Sequence, residues 1–166
     1  MTAPALTLDP ESRLAGDDHE ALRLWLRLFT CTTMIERVVD STLRREFASS
    51  LPRFDLLAQL YRCPDGLRMG ELSARILTTG GNVTSLVAAL EREGLVKRKT
   101  APDDGRATLV RLAAVGRRHF TAMARAHERL IADLFDGLSV AERRTLHASL
   151  GTLKQRFRQR PSTDIR

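Results

Sequence analysis

The stretch LVKRKTAPDDGRATLVRL, from Leu95 to Leu112, holds five basic side chains: Lys97, Arg98, Lys99, Arg106 and Arg111. They lie on two runs of β-leaning composition around a turn containing Pro102, Asp103, Asp104 and Gly105, so they would ride on the arms and tip of a stiff hairpin. Cations presented this way make and break no bonds; they attract anionic oxygens. Arg106, beside the glycine of the tip, is placed to lie between closely spaced phosphates. Asp104, two residues earlier, could hold that tip as the acceptor of a donor–acceptor pair. The same charges would also suit a solvated edge, and the elements around the hairpin decide between the two uses.

No other grouping points to catalysis. An enzyme needs a convergent nucleophile, base or metal set, and the chain carries no phosphate loop, no Ser/His/Asp signature and no paired acidic motif. His19, His119, His127 and His147 sit on separate segments without ligand spacing, and Cys31 and Cys63 form neither a CxxC nor a Cys/His set. The expectation is a chain that is not an enzyme, holds no metal or cofactor, and has no disulfide framework. Lys and Arg total 27 against 20 Asp and Glu, a formal charge of +7, which favours polyanionic partners without naming one. The first residues lack a charged leader followed by an apolar run, and no segment reaches the roughly 18 uncharged apolar residues of a membrane span, so a cytoplasmic location away from membranes is expected.

The elements that would position the hairpin follow from periodicity. Residues 1–17 mix Pro, Asp, Ser and Gly without an apolar face and read as a mobile arm. From residue 18 to 47, Leu24, Leu28, Cys31, Ile35, Val38 and Thr42 recur at three and four, widened by Leu22, Trp25, Leu26 and Phe29. That stripe is too broad for one partner, and a helix of about 30 residues would run roughly 45 Å, so part of its face is expected to meet a second chain. Pro52 opens the next helix, with Phe54, Leu57, Leu60 and Tyr61 on one side, and Pro64, Asp65 and Gly66 close it. A short helix over about 69–77, the turn TTGG, and a helix over 82–93 with Val83, Leu86, Val87 and Leu90 inward make a helix-turn-helix. Gly94 stands where a left-handed residue is wanted, and the hairpin begins at once. Phe120, Met123, Leu130, Ile131 and Leu134 mark a helix up to Gly137. SVAE then offers a capping box, Ser139 with Glu142, to a last helix striped by Leu146, Leu150, Leu153 and Phe157.

Two helices joined by a glycine turn and followed directly by a hairpin form a winged helix-turn-helix. In that arrangement the second helix enters a DNA major groove and the hairpin reaches a minor groove or the backbone. The expected fold is mainly α with a small β-hairpin wing, an α+β unit over 18–160. Its winged helix-turn-helix lobe covers about 50–112, its helical dimerisation lobe covers 18–48 and 113–160, and residues 161–166 fray.

The run GGNVTSLVAALEREGLVKRKTAPDDGRATLVRL resembles the heart of the MarR family of winged helix-turn-helix transcription regulators. Its most specific pieces are the NVT…L..LE..GLV.R pattern from Asn82 to Arg98 and the D-x-R of Asp104 and Arg106. The resemblance implies a homodimeric repressor whose terminal helices interlock through Leu24, Leu28, Leu146, Leu150, Leu153 and Phe157, bound to an inverted-repeat operator in double-stranded DNA. On that alignment the reading helix presents Asn82, Thr84, Ser85, Ala88 and Arg92, and the wing presents Arg98, Asp104 and Arg106. Many relatives carry basic residues where this chain has Ser85, Ala89 and Gly105, so Arg68 and Arg75 are expected to supply further phosphate contacts. Ala113 stands where relatives often place a capping Thr.

The resemblance also implies a signal that lowers DNA affinity. A crevice lined by Trp25, Phe29 and Phe54, with Arg53 at an anionic end, would suit it, and LPRFDLLAQLYRCPDGLRMGEL is similar to relatives answering aromatic acids or their coenzyme A thioesters. Two alternatives stay open: a thiol-based oxidant sensor of the same fold, and a helical adaptor that binds no DNA. For the sensor, Cys31 lies on the apolar stripe and is expected to be buried and inert, while Cys63, at a helix end, is expected to be more exposed.

Overall fold

The computed structural model describes residues 19–76, 82–101 and 104–159, with the side chains of 101 and 104–106 outside the description. The N-terminal arm, the TTGG turn and residues 161–166 lie outside the described residues. The chain divides into two compact units, one ending at Arg125 and the other beginning at Ala126.

In the first unit, α1 runs from Glu20 to Phe47 and ends where Ala48 turns left-handed (φ 48°), its N–H meeting the Arg44 and Leu43 carbonyls. The stripe through Leu24, Leu28 and Val38 is not the face that this helix buries in its own unit. Val39 and Leu43, one turn apart near its C-terminal end, are buried, whereas Leu24, Trp25, Phe29 and Val38 are exposed. The buried pair lies on the last turns of α1, next to the connecting turn into α2, Leu51 to Arg62, with which α1 is in contact. That turn is tied by Asp40: its Oδ1 accepts the Leu51 N–H at 2.8 Å, capping α2 from another helix while Ser50, the formal cap, makes no side-chain bond. Burial would raise the Asp40 pKa, but the Leu51 N–H and the Arg44 guanidinium outweigh it and hold the carboxyl below its ordinary value.

α2 buries Leu56, Leu57 and Leu60 completely. Tyr61, expected inside, is exposed; its ring packs on Phe120 (centroids 4.8 Å apart) and lies beneath the Arg117 guanidinium. A strand absent from the sequence reading, β1 (Leu67–Arg68), precedes α3 (Met69–Arg75), and α4 (Val83–Arg92) leads through Gly94 (φ 73°) into the hairpin of β2 (Val96–Ala101) and β3 (Asp104–Leu112). The sheet is antiparallel in the order β1-β3-β2. Leu72, Val87, Leu90, Val96, Val110 and Met123 complete the fully buried core. α5, Ala114 to Leu134, starts where the chain leaves β3, and Gly116 lets its first turn touch the backbone of Leu95: a Cβ at that position would stand 1.9 Å from the Leu95 carbonyl oxygen.

The second unit holds the end of α5 and α6 (Val140–Gln159). The capping box forms as read. Glu142 accepts from the Ser139 N–H at 2.8 Å and from its hydroxyl at 2.6 Å, and the Glu142 N–H reaches the Ser139 oxygen at 3.3 Å. None of the 20 residues of α6 is buried.

Candidate nucleic-acid interface

α4 is anchored from beneath by Val87 and Leu90, both fully buried, with Val83 and Leu86 half-buried beside them. The opposite face carries Thr84, Ser85 and Arg92, all exposed. Ala88 is half-buried and flanks that face. Asn82 starts the helix: its side-chain oxygen accepts the Ser85 N–H at 3.3 Å, so this candidate contact residue is also the N-cap. With no acid in the first turn, the positive end of the helix stays uncompensated next to the exposed hydroxyls.

The wing starts two residues beyond Gly94, whose left-handed φ a side chain would disfavour. In its register Lys97 stands directly opposite Arg111, and Lys99 opposite Leu109. Two cations facing each other across an antiparallel pair repel, so this part of the ladder is unfavourable until an anion lies across it. Arg98 is different. Its Nε donates to Glu91 Oε2 at 2.6 Å, its Nη2 meets the same oxygen, and its backbone N–H reaches Glu91 Oε1 at 3.3 Å. The Arg98 bond holds the Glu91 carboxyl below its ordinary pKa, and Glu91 raises that of Arg98. Arg98 therefore ties the wing to α4, its charge already matched. Asp104 and Arg106 fall within β3, and their side chains lie outside the described residues.

Of the other basic candidates, Arg75 at the end of α3 donates Nη1 to the Cys63 sulfur at 3.2 Å. Arg68 is half-buried, its N–H bound by Glu71 at 2.8 Å. Cys63 is half-buried, and Cys31, expected to be buried, is exposed, as are Leu24 and Val38 two turns away on the same side of α1.

The proposed effector residues fall into separate groups. Trp25 and Phe29 stack on one another along α1 (5.8 Å), both more than half exposed, while Phe54 stacks on Phe120 at 5.4 Å. Arg53 forms an ion pair with Glu93, the residue that closes α4. Of the dimerisation candidates, Leu24, Leu146, Leu150 and Phe157 are exposed, and Leu28 and Leu153 half-buried. Among the described residues no group of His, Cys, Asp or Glu could hold a metal ion, and no helix is long and apolar enough to cross a membrane. Sequence reasoning missed Glu91, Glu93 and the Lys97–Arg111 pairing. The first two were visible as the acidic positions of ALEREGL, but only the fold supplies their partners.

A profile described as MarR family matches residues 50–107. YkoM of Bacillus subtilis (strain 168), an HTH-type transcriptional regulator, is 32% identical over 133 residues, covering 78% of this chain and 85% of its own. YdgJ of the same organism, also an HTH-type transcriptional regulator, is 33% identical over 97 residues; the match spans 58% of each chain, little more than half of that relative's length. The crystal structure of a MarR family transcriptional regulator from Silicibacter pomeroyi superposes with a TM-score of 0.76 at 29% identity, over 87% of this chain and 99% of that one. The sequence pattern, the winged lobe and these likenesses agree: the chain belongs to the MarR family of helix-turn-helix transcriptional regulators.

Proposed function

We propose that two copies of this chain bind an inverted-repeat operator as a repressor, α4 entering the major groove and the wing following the backbone into the adjoining minor groove. The observation that carries the DNA reading is the unbalanced cation pair Lys97–Arg111, with Lys99 on the same strand as Lys97, beside the exposed Thr84 and Ser85 of α4. Cations that repel one another in the free protein gain from a row of phosphates, and hydroxyls at a helix start can approach base edges. The second copy is supported by α6, which buries none of its residues, and by the uncovered Leu24, Trp25 and Phe29 of α1. A small aromatic acid or its coenzyme A thioester lowers operator affinity by binding the DNA-incompetent arrangement more tightly.

The test is the salt dependence of duplex binding in wild type and in Lys97→Gln/Arg111→Gln. Loss of two phosphate contacts in each of the two copies should make the slope of log affinity against log salt shallower by about 4. An unchanged slope would remove the wing from the interface. A second reading, release by oxidant, draws on the Arg75–Cys63 contact: oxidised sulfur would bind the guanidinium more strongly and withdraw Arg75 from phosphate. Peroxide should then weaken operator binding in wild type and not in Cys63→Ser.

A further inference from the structure

Glu93 and Arg53 are 40 residues apart in sequence and joined in space, the carboxylate at the C-terminal end of α4 meeting a guanidinium in the first turn of α2. The pairing is incomplete. Glu93 offers one oxygen, Oε2, to Nη2, whereas Nε, on the same edge of the guanidinium, is buried and has no hydrogen-bond partner. That edge is shaped for both oxygens of a planar carboxylate at once, and a buried donor left unmade carries a free-energy cost that a second oxygen would remove. Glu93 is also a weakly suited occupant, because a carboxylate at a helix C-terminus faces the negative end of the dipole. The Arg53 side chain is 20% exposed and that of Glu93 45%, so the acid can swing into solvent while the arginine stays. Another buried polar atom without a partner, the hydroxyl of Ser49, lies at the same end of α2, in the turn before it.

We propose that Arg53 is an exchange site for a small monocarboxylate, with Glu93 as its tethered occupant. An external carboxylate that binds the Nε/Nη2 edge with two oxygens displaces Glu93 and unlatches the C-terminal end of α4 from α2. Because Glu91 fastens α4 to the wing through Arg98, the wing and the reading helix are released together. The proposal deepens the effector reading and rests on it for the consequence at DNA, but the binding site itself can be tested without DNA.

The probe is sodium benzoate, with benzamide as the uncharged isostere, at constant ionic strength. The readouts are calorimetric titration and the Nε–H resonance of Arg53. Glu93→Gln keeps the shape of an exposed residue but replaces the carboxylate by a neutral amide, a weaker competitor for the guanidinium; it should bind benzoate about tenfold more tightly than wild type, with a shift of the Arg53 Nε–H signal. Arg53→Lys, a point charge without the fork, should weaken benzoate at least tenfold, and benzamide should bind neither protein. Failure of benzoate to move the Arg53 signal in folded Glu93→Gln overturns the proposal, as does equal affinity in Glu93→Gln and wild type. Release of operator by an acid that acts equally on wild type and Glu93→Gln would refute this site while leaving the effector reading intact. Benzoate binding at Arg53 with no change in operator affinity would refute the coupling to α4.

Discussion

Substituting Gly116 by Ala sets two effects of opposite sign against each other. Helix propensity alone favours alanine in α5 by about 1 kcal/mol. The geometry opposes it: the added Cβ would stand 1.9 Å from the Leu95 carbonyl oxygen, 2.8 Å from its carbon and 3.1 Å from its Cα, all backbone atoms that no rotamer change can move. Reaching ordinary van der Waals separation requires a displacement of about 1.5 Å between α5 and the base of the wing. That displacement breaks the 2.9 Å bond from the Ala113 N–H to the same carbonyl, at a site where Leu95, Val96 and Ala113 are all buried. An overpacking cost of about 1–3 kcal/mol and unmade buried hydrogen bonding of about 1–3 kcal/mol, less the propensity gain of about 1 kcal/mol, leave a net loss of about 1–5 kcal/mol. For a chain of this size that lowers Tm by roughly 2–20 °C. Circular dichroism melts of Gly116→Ala against Gly70→Ala make the comparison, because a Cβ on Gly70, in α3, meets nothing within 4 Å and should leave stability unchanged or raise it by up to about 1 kcal/mol. A Gly116→Ala protein as stable as wild type, or more so, would refute the close approach of α5 to the wing.

Asn82→Ala removes the cap of the ten-residue α4 and should cost about 1 kcal/mol; hydrogen exchange at the Ser85 amide should speed up, and unchanged protection would show that the cap is unimportant. Leu150→Glu changes a residue that is 40% exposed in the single chain, so it should leave the folded chain intact in circular dichroism yet dissociate the proposed dimer in sedimentation; a stable dimer would exclude this face from the interface. Acid should weaken the fold in two steps. Burial holds His127 below its ordinary 6.5, so the folded protein takes up this proton less readily than the unfolded chain, and stability present above pH 6.5 declines as pH falls through the folded value. Glu91, held down by Arg98, and Glu142, held down by Ser139, contribute stability present above pH 4.5 that is lost as pH falls through their folded values. In melts followed against pH, His127→Gln should flatten the first step and Glu91→Gln should reduce the second.

The sequence was most legible where a signal is local. Gly94 after the apolar run and Ser139 with Glu142 each make their structure within four residues, and both form as read; Asn82, read as a contact residue within the helix, is also its N-cap. β1 was invisible because two residues carry no periodicity; Leu67 and Arg68 are a strand only through their pairing with Val110 and Leu109. The need for a glycine at 116 comes from a carbonyl 21 residues earlier, and the ties of Glu91 to Arg98 and Glu93 to Arg53 likewise depend on how α4 is set against β2 and α2. The broad stripe of α1 announced more apolar surface than one partner could use. Its width could not say that Val39 and Leu43 are buried while Trp25 and Phe29 are left uncovered, because that depends on tertiary packing and not on the periodicity of the helix itself.

The most direct test of the account is selection of bound sequences from a random duplex pool by the purified protein, followed by footprinting of the winner. A two-fold pair of α4 helices about one helical turn apart predicts an inverted repeat with half-site centres roughly 10 bp apart, protected on one face of the duplex. Substituting Thr84 or Ser85 should change which bases are preferred at fixed positions within each half-site. Enrichment of no sequence, or a footprint confined to one half-site, would contradict the account.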